Sequence, residues 1–295
     1  MTTAPLLHIV GCGRAGRTLA RLWAEAGVFR IGCIVNDTKA SAGRAAAFIG
    51  AGRAAGSLDS VEPDEWLMLA MPDGALESAA GSLAENLHSS PALAFHISGA
   101  VPAEVLRPLS CPVAAVHPVC PFADPQAALA SFAGSHALGE GDAAALDRVL
   151  PAFAAIGARI GRFRPSDKRL YHAATIAASN FLNVLDALAL DLAEAGGVAP
   201  EVMQPVLVSL QRTALDNIER SGPVAALTGP IERGDGQTCQ LLMDSLEQVD
   251  VEHRKLFRQL GLAALALARR KHGAGSSLDA LQPIFERPEP DNGRV

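Results

Sequence analysis

The fold is decided by the stretch Leu6-Leu7-His8-Ile9-Val10-Gly11-Cys12-Gly13-Arg14-Ala15-Gly16. Its first five residues are a short, mostly apolar run, and residues 18–26 then show the apolar spacing of a helix. A strand, a glycine-rich turn and a helix in this order direct backbone N–H groups and the positive end of the helix dipole toward a pyrophosphate. The stretch therefore predicts a dinucleotide-binding turn made of Gly11, Cys12, Gly13, Arg14, Ala15 and Gly16.

The three glycines of this turn have separate predicted roles. Gly11 permits the tight turn, Gly13 lets the backbone approach the phosphates, and Gly16 lets the helix pack closely on the strand. The alternative is a turn with a purely structural role, since glycine-rich hexamers also occur in ordinary loops. The strand before the motif and the helix after it favour the dinucleotide.

Further apolar runs, each followed by turn residues, predict more strands. They lie at residues 30–35, 66–71, 92–97, 113–116 and 159–163, and a helical pattern at residues 142–155 precedes the last of them. Strands that alternate with helices form a parallel sheet covered on both faces. We therefore predict an α/β Rossmann domain with a mostly parallel, doubly wound sheet over residues 1–165.

From Ser166 onward the pattern is almost purely helical. Ser166, with Asp167 just after it, can cap a helix that ends at residues 196–197. Three more helices are predicted at residues 200–220, 235–248 and 251–271. The sequence thus predicts an all-α domain over residues 166–285 for substrate binding and dimerisation, and a flexible, proline-rich tail over residues 286–295.

The composition argues against several classes of function. Lys and Arg number 25 against 31 Asp and Glu, and no basic run could follow a phosphate backbone, so nucleic acid is not an expected partner. The five scattered cysteines lack metal-ligand spacing and are expected to be reduced thiols, with no metal site. We find no signal-peptide pattern and no apolar run near the roughly 18 residues of a membrane span, which predicts a cytoplasmic protein without a membrane.

The end of the second predicted strand bears on the choice between NAD and NADP. Asp37 lies 21 residues after Gly16, where a carboxylate can accept both ribose hydroxyls of NAD, or it simply starts a turn. Asn36, Thr38 and Lys39 could equally donate hydrogen bonds to the 2′-phosphate of NADP. We assign Asn36, Asp37 and Thr38 to cofactor binding.

Loops after the later strands should face the cofactor, because ligands bind at the carboxyl ends of the strands in open α/β sheets. These loops contain Ala70, Met71 and Pro72, which we assign to the cofactor, and then Ser98 and His117. Ser98 can hydrogen-bond a carboxamide or a substrate oxygen, or it can cap its own turn. Asp73 is expected to cap the helix that begins near Gly74.

The helix after Ser166 carries polar residues on one face. That face holds His172, Thr175, Ser179, Asn183 and Asp186, and Asn180 lies a step further round. Such a stripe either lines a site or is solvated, and the opposite packing face should be formed by Phe181, Leu185, Leu188 and Leu192. Within the stripe only His172 is of a residue type that gives and takes protons near neutral pH.

A polar connection between two predicted helices spans residues 227–236. Arg233 offers a guanidinium that matches a carboxylate, and Thr228 offers a hydroxyl. The alternative is an ordinary connection in which Asp235 caps the next helix.

Together these segments resemble one family, which has a Rossmann-like N-terminal domain and a helical domain known as domain of unknown function 2520. The resemblance rests on GCGRAG at 11–16, LAMPD at 69–73, HISG at 96–99, HPVCPF at 117–122, YHAATIAASN at 171–180 and LTGPIERGD at 227–235. The chain is also similar to the wider group related to 6-phosphogluconate dehydrogenase, which includes ketopantoate and pyrroline-carboxylate reductases. The resemblance implies a cleft between the domains near Asn180, a homodimer formed through the helical domain, and NADP in preference to NAD.

The resemblance further implies an NAD(P)-dependent oxidoreductase that transfers hydride to the carbonyl of a small carboxylate substrate, such as 2-dehydropantoate. The residues assigned to catalysis are His172, Asn180 and Ser98, and those assigned to the substrate are Ser179, Thr228, Arg233 and His117. The alternatives are an imine reductase of the pyrroline-5-carboxylate type and a non-catalytic NAD(P)-binding sensor.

The chain departs from these relatives at two positions. Asp37 stands where they often carry the arginine of a Ser-Arg-Ser type sequence, and its charge would repel a 2′-phosphate. Ile176 stands four residues before Asn180, where ketopantoate reductases of the common type have a lysine. The remaining proton donors are His172, His117 and Lys168. We favour His172 because it lies near the same helix face as Asn180.

Overall fold

The computed structural model describes residues 4–273 and 276–286, apart from the side chain of Ser276. The chain divides into two compact units, residues 1–178 and 179–295, and the division falls inside one long helix. The predicted tail at residues 286–295 lies outside the described residues, except for Glu286.

The first unit is built on an eight-stranded sheet with the strand order β3-β2-β1-β4-β5-β6-β7-β8. The strands are β1 Leu6–Val10, β2 Arg30–Val35, β3 Arg53–Ala55, β4 Trp66–Leu69, β5 Leu93–His96, β6 Val113–Val119, β7 His136–Gly141 and β8 Arg159–Arg162. Neighbouring strands are parallel except β6 and β7. This arrangement confirms the predicted α/β class with its mostly parallel sheet.

Two strands are absent from the sequence prediction. β3 has only three residues, and β7 carries Gly139 and Gly141 where an apolar alternation would mark a strand. β3 is the edge strand beside β2, and β7 lies between β6 and β8.

The helices of the first unit cover both faces of the sheet. They are α1 Arg14–Glu25, α2 Lys39–Ile49, α3 Leu76–Asn86, α4 Pro125–Ser131 and α5 Ala143–Ala155. Successive residues of β4 point to opposite faces, so Trp66 and Met68 pack in one core cluster while Leu67 and Leu69 pack in another. All four residues are buried, which explains why this strand reads as a continuous apolar run.

Trp23 on α1 is the centre of the larger cluster. Its ring makes edge contacts with Phe29 and Phe153 at centroid distances of 5.4 and 5.0 Å. Its Nε1–H donates to the carbonyl of Ala152 at 2.9 Å, so the polar atom of this fully buried side chain is satisfied. The helix that follows the glycine-rich turn is thereby fixed to the sheet.

The helices from residue 168 onward are α6 Lys168–Ala195, α7 Pro200–Ala226, α8 Gly236–Ser245, α9 Val251–His272, α10 Ser276–Asp279 and α11 Gln282–Glu286. Asp167, rather than Ser166, caps α6, because its carboxylate accepts from the backbone N–H groups of Arg169 and Leu170 at 2.8 and 3.3 Å. α7 extends beyond the predicted end at residue 220, across a break at Gly222, where φ is 75°. The core of the second unit is formed by α8, α9 and α11, with Cys239, Leu265, Leu281 and Phe285 among its buried residues.

The predicted packing face of α6 is only half covered. Leu188 is buried and Leu192 packs against the core of the second unit, whereas Phe181 and Leu185 are 56% and 38% exposed. Two of the four residues expected on the packing face are therefore not covered within one chain, because helical periodicity shows that a face is apolar but not what covers it. On α7, Leu210 is 65% exposed.

Among the described residues, α6 is the one helix that is long and apolar enough to cross a membrane. A single helix of this length and composition is weak evidence for a membrane, since helices of soluble proteins share both properties.

Candidate functional site

The glycine-rich turn has the space that a dinucleotide needs. Gly11 has a φ of 76°, and a Cβ there would lie 2.6 Å from Cβ of Met71. A Cβ on Gly16 would lie 2.9 Å from Cβ of Ala70, so helix and sheet approach closely at this point. Gly13, in contrast, has no described atom within 4 Å of its Cβ position. The turn is therefore closed toward the sheet and open at the position expected to meet phosphates.

The N-terminus of α1 is free of a side-chain cap. Gly13 occupies the cap position in extended backbone, and no side chain of the described residues caps the helix. Its first N–H groups are thus suited to an anion such as a diphosphate. The guanidinium of Arg14 donates to the carbonyl of Ala123 at 3.3 Å, while Ala15 is half-buried in the first turn.

At the end of β2, two of the three predicted ribose-binding residues are engaged within the protein. Asn36 Oδ1 accepts from the backbone N–H of Cys12 at 2.5 Å, and its Nδ2 donates to Ser41 at 3.2 Å. Thr38 caps α2 by accepting from the N–H of Ser41 at 3.1 Å. Asp37 is exposed, and its carboxylate has no hydrogen bond or ion pair with the described residues. Of the three, Asp37 is the residue most available to a ligand.

The loop after β4 lies directly against the glycine-rich turn. The N–H of Ala70 donates to the carbonyl of Val10 at 2.9 Å, and Met71 contacts the Gly11 position. Pro72 precedes a short 3-10 turn, Asp73–Ala75, and no side chain of the described residues caps that turn. The expectation that Asp73 caps a helix was therefore wrong.

The loop after β5 is organised by a buried histidine. His96 Nδ1 accepts from the N–H of Ser98 at 3.2 Å, so Nε2 carries the proton and donates to the carbonyl of Pro102 at 3.2 Å. Burial first, and then the charge of Lys168, lower the pKa of His96 to about 3. His96 could not be assigned this role from the sequence, since its two partners come together only in the folded loop.

Ser98 caps its own turn, which was one of its two predicted roles. Its Oγ accepts from the N–H groups of Ala100 and Val101 at 3.1 and 3.0 Å, and the residue is 8% exposed. The hydroxyl hydrogen is still available for donation, but the side chain is held by the turn.

Two imidazoles face each other across Gly99. The rings of His117, near the end of β6, and His172, in the first turns of α6, have centroids 5.5 Å apart. A Cβ on Gly99 would overlap His172 Nδ1 and would lie 2.9 Å from His117 Nε2, so only glycine leaves room for both rings. We name Gly99, His117 and His172 the imidazole pair site. All three belong to the first unit.

His117 is neutral near pH 7. Burial first, and then the nearby charges of His172 and Lys168, lower its pKa to about 4, while Asp73 opposes the shift. Its Nδ1 lies 2.9 Å from the hydroxyl of Tyr171, a residue that the sequence analysis quoted but did not assign. No local signal marks this contact, because the partners are 54 residues apart.

Lys168 is engaged in a buried structural contact and is not free to act as the proton donor. Its Nζ donates to the carbonyl of Val101 at 2.5 Å and to Glu140 at 3.1 Å, with the side chain 4% exposed. The same Glu140 oxygen accepts from the N–H of Ala103 at 2.8 Å. Burial lowers the pKa of Lys168, and Glu140 opposes that shift. The contact ties the start of α6 to the loop after β5.

The other predicted substrate residues belong to the second unit. Ser179 and Asn180 are exposed on α6, and the hydroxyl of Ser179 donates to Oδ1 of Asn180 at 3.0 Å. Thr228 and Arg233 are exposed in the connection between α7 and α8. Their roles stay predictions.

That connection is held in place by charged side chains. Glu232 accepts from Lys271 and His272 at 2.8 and 2.7 Å, and Asp235 caps α8 through the N–H of Thr238 at 3.1 Å. A cleft of about 420 Å³ beside it is lined by Arg233 and His272, among others. Among the described residues, no group of three or more His, Cys, Asp or Glu side chains could hold a metal ion.

Comparison with known proteins agrees with both parts of the fold. Residues 4–118 match the model of a Rossmann-like domain, and residues 136–264 match that of a domain of unknown function 2520. The chain carries both domains. No curated protein is significantly similar to it in sequence.

Solved structures share the fold over most of the chain. A candidate NADP oxidoreductase from Bacteroides fragilis has a TM-score of 0.70 and 20% identity, covering 92% of this chain and 99% of its own. A protein from Thermotoga maritima has a TM-score of 0.68 and 25% identity, covering 90% and 99%. An imine reductase from Myxococcus stipitatus in complex with NADP+ has a TM-score of 0.60 and 16% identity, covering 95% and 99%.

Proposed function

We propose that the protein is a nicotinamide-dependent reductase that transfers hydride to a polar double bond, C=O or C=N, of a small substrate. One observation carries this proposal: the open phosphate turn at Gly13 and Gly99 of the imidazole pair site follow the carboxyl ends of parallel strands, β1 and β5, at the same edge of the sheet. Ligands bind at this edge in open α/β sheets. The fold shared with an imine reductase that binds NADP+ supports the proposal.

In this proposal each part of the first unit has a chemical role. The bound nicotinamide supplies the hydride. The turn at residues 11–16 holds the diphosphate through backbone N–H groups, and the imidazole pair site protonates the heteroatom of the substrate. His172 contacts that heteroatom directly, with Thr175 Oγ1 3.4 Å from its Nδ1. His172→Gln should lower kcat by about 10²-fold or more, and a variant with unchanged kcat would remove this role.

A small carboxylate with a carbonyl, such as 2-dehydropantoate, is one candidate substrate, and Arg233 would bind its carboxylate. A cyclic imine of the pyrroline-carboxylate type is the second. The imine is favoured by the engaged Lys168 and the neutral His117, since a protonated imine needs no strong side-chain acid.

The test is a panel assay that follows NADPH and NADH oxidation with 2-oxo acids and cyclic imines. We expect turnover with at least one compound. Gly13→Asp is the matched control, because a Cβ at this position meets no described atom within 4 Å, so the variant should fold while its carboxylate repels phosphates. Cofactor binding without turnover on any substrate would contradict the proposal and favour a sensor.

For the cofactor we propose NADP, with NAD as the alternative that Asp37 favours. Asp37→Arg should raise the preference for NADPH over NADH, measured as the ratio of kcat/KM values, by about 10-fold or more, because a cation replaces an anion beside the ribose. Asp37→Asn is the matched control and should shift the ratio less. An unchanged ratio in both variants would place the 2′-phosphate elsewhere.

We also propose that a second copy of the chain covers the exposed apolar residues of α6 and α7 in the cytoplasm. These residues are Phe181, Val184, Leu185, Val202, Val206, Leu210, Leu215 and Ile218. Large exposed apolar side chains in this number on two helices are typical of a subunit interface. A membrane is the less suitable cover, because Asp186 and Asp191 on α6 are bonded to Gln211 and His253 and would cost about 2.5–3.5 kcal/mol each at a bilayer centre.

A further inference from the structure

We propose that Tyr171 is the source of the proton in this reaction and that His117 relays it to the substrate. The inference rests on the proposed reductase function and adds a donor that lies behind the imidazole pair. It concerns one line of groups in the first unit: the Tyr171 hydroxyl, the two nitrogens of His117, and the space over Gly99.

The two nitrogens of His117 face different partners. Nδ1 lies 2.9 Å from the Tyr171 hydroxyl, and Nε2 faces Gly99 together with His172 Nδ1. Both nitrogens lie on the side of Gly99, in rings whose centroids are 5.5 Å apart, and in this proposal the substrate heteroatom approaches the pair from outside that packed contact. The ring edge of Tyr171 also meets the His117 ring, with centroids 5.7 Å apart.

A neutral imidazole cannot give up its N–H efficiently unless its other nitrogen receives a proton. The phenol is placed to supply that proton, since a hydroxyl that donates to Nδ1 leaves the hydrogen of His117 on Nε2. His117 is in the neutral form, since burial and the neighbouring His172 and Lys168 lower its pKa to about 4. Tyr171 is protonated near pH 7, because partial burial raises its pKa from 10.0.

For a carbonyl substrate, each electron pair and each proton in the relay has a source and a destination. Hydride forms the new C–H bond, and the electron pair of the C=O π bond moves to oxygen. That oxygen bonds to the hydrogen of His117 Nε2, Nδ1 takes the hydrogen of Tyr171, and the phenolate recovers a proton from water. A neutral imine nitrogen would take the proton in the same way. Tyr171 thus supplies the proton and positions the imidazole, His117 transfers the proton to the substrate, and His172 contacts the same heteroatom.

The first test needs no turnover. In protein labelled with ¹⁵N-histidine, His117 should be neutral and protonated at Nε2 near pH 7, with its signals assigned by their loss in His117→Gln. Tyr171→Phe should redistribute the proton toward Nδ1. A wild-type His117 protonated at Nδ1 would overturn the relay. Tyr171 is the chain's only tyrosine, so tyrosinate absorbance reports its ionisation alone, and a phenolate at neutral pH would also overturn it.

The second test uses the substrate found in the panel assay. Tyr171→Phe should lower kcat by about 10²-fold, with little change in KM and with a larger solvent deuterium isotope effect on kcat. Phe163→Leu is the matched control, because the Phe163 ring packs on Tyr171 at a centroid distance of 4.7 Å but carries no hydroxyl. An equal loss of kcat in both variants would assign the effect to packing and overturn the relay.

The two tests separate this proposal from the one it rests on. Turnover in the panel with wild-type kcat in Tyr171→Phe overturns the relay and leaves the reductase function standing. A panel without turnover contradicts the reductase function, whatever the tautomer of His117.

Discussion

The sheet of the first unit and the helix α7 of the second differ in how completely they bury their apolar residues. All four residues of β4 and all four of β5 are buried, whereas Leu207 is the one buried residue described along the 27 residues of α7. Helices gain most of their stability from packing an apolar face. The difference indicates that the sheet is complete within one chain, whereas the exposed residues of α7 support the proposed second copy.

The largest expected effect lies in the sheet region. Trp23→Ala should lower the free energy of unfolding by about 3–5 kcal/mol, because it removes a fully buried ring and leaves the Ala152 carbonyl without its donor. Urea denaturation measures this loss. Glu77→Ala, at an exposed position on α3, should change it by no more than about 0.5 kcal/mol. A similar small effect of Trp23→Ala would mean that the sheet is not self-sufficient.

The sheet region should also lose stability in acid. The folded-state pKa values of His96 and His117 are about 3 and about 4, below the ordinary histidine value of 6.5, so the unfolded chain binds more protons as the pH falls. The contribution of each neutral histidine to the free energy of unfolding is therefore fully present above pH 6.5. Below that pH it decreases, by about 2–3 kcal/mol for each histidine at pH 4.5. Urea midpoints from pH 7.5 to 4.5 measure the slope. His96→Asn should flatten it, and an unchanged slope would contradict the assignment to His96.

In the helical region the expected change is in assembly. Phe181→Asp and Leu210→Asp, at residues 56% and 65% exposed within one chain, should convert a dimer into monomers in sedimentation velocity. A charge buried in an apolar interface is costly, while the same charge in water is not. Arg212→Glu, at an exposed polar position of α7, is the control and should leave the dimer intact. A wild-type monomer would contradict the second copy as the cover.

The smallest expected effect concerns surface charge. Lys255→Gln removes the ion pair with Glu252 on α9, whose side chains are 54% and 75% exposed. Because water screens such pairs, the free energy of unfolding should change by less than about 0.5 kcal/mol. A loss above about 1 kcal/mol would show that polar pairs, rather than a missing partner, determine the stability of the helical region.

The sequence was sufficient for those parts of the fold that have local patterns. β1, β2 and the turn at Gly11 follow from apolar runs and glycine positions, and Asp142 marks the start of α5. β7 could not be predicted, because its residues pair with β6 in spite of two glycines. Neither strand periodicity nor helix propensity contains that information.

For the candidate site, the sequence identified the segments but not their contacts. His117 and His172 were both selected from their residue type and place on the fold. The contact between His117 and Tyr171 and the engagement of Lys168 by Glu140 depend on chain segments brought together by the sheet. Such contacts are tertiary, so no window of sequence shows them.

The bond between Asn36 and the backbone N–H of Cys12 has a consequence for engineering the cofactor preference of this protein. It joins the phosphate turn to the residue beside Asp37, so the two halves of the nucleotide site are mechanically linked. A library that varies Asp37 while keeping Asn36 changes the charge beside the ribose and leaves the bond to the turn intact. One that randomises both would loosen the turn itself, and most of its members would lose the nucleotide before they changed which one they prefer.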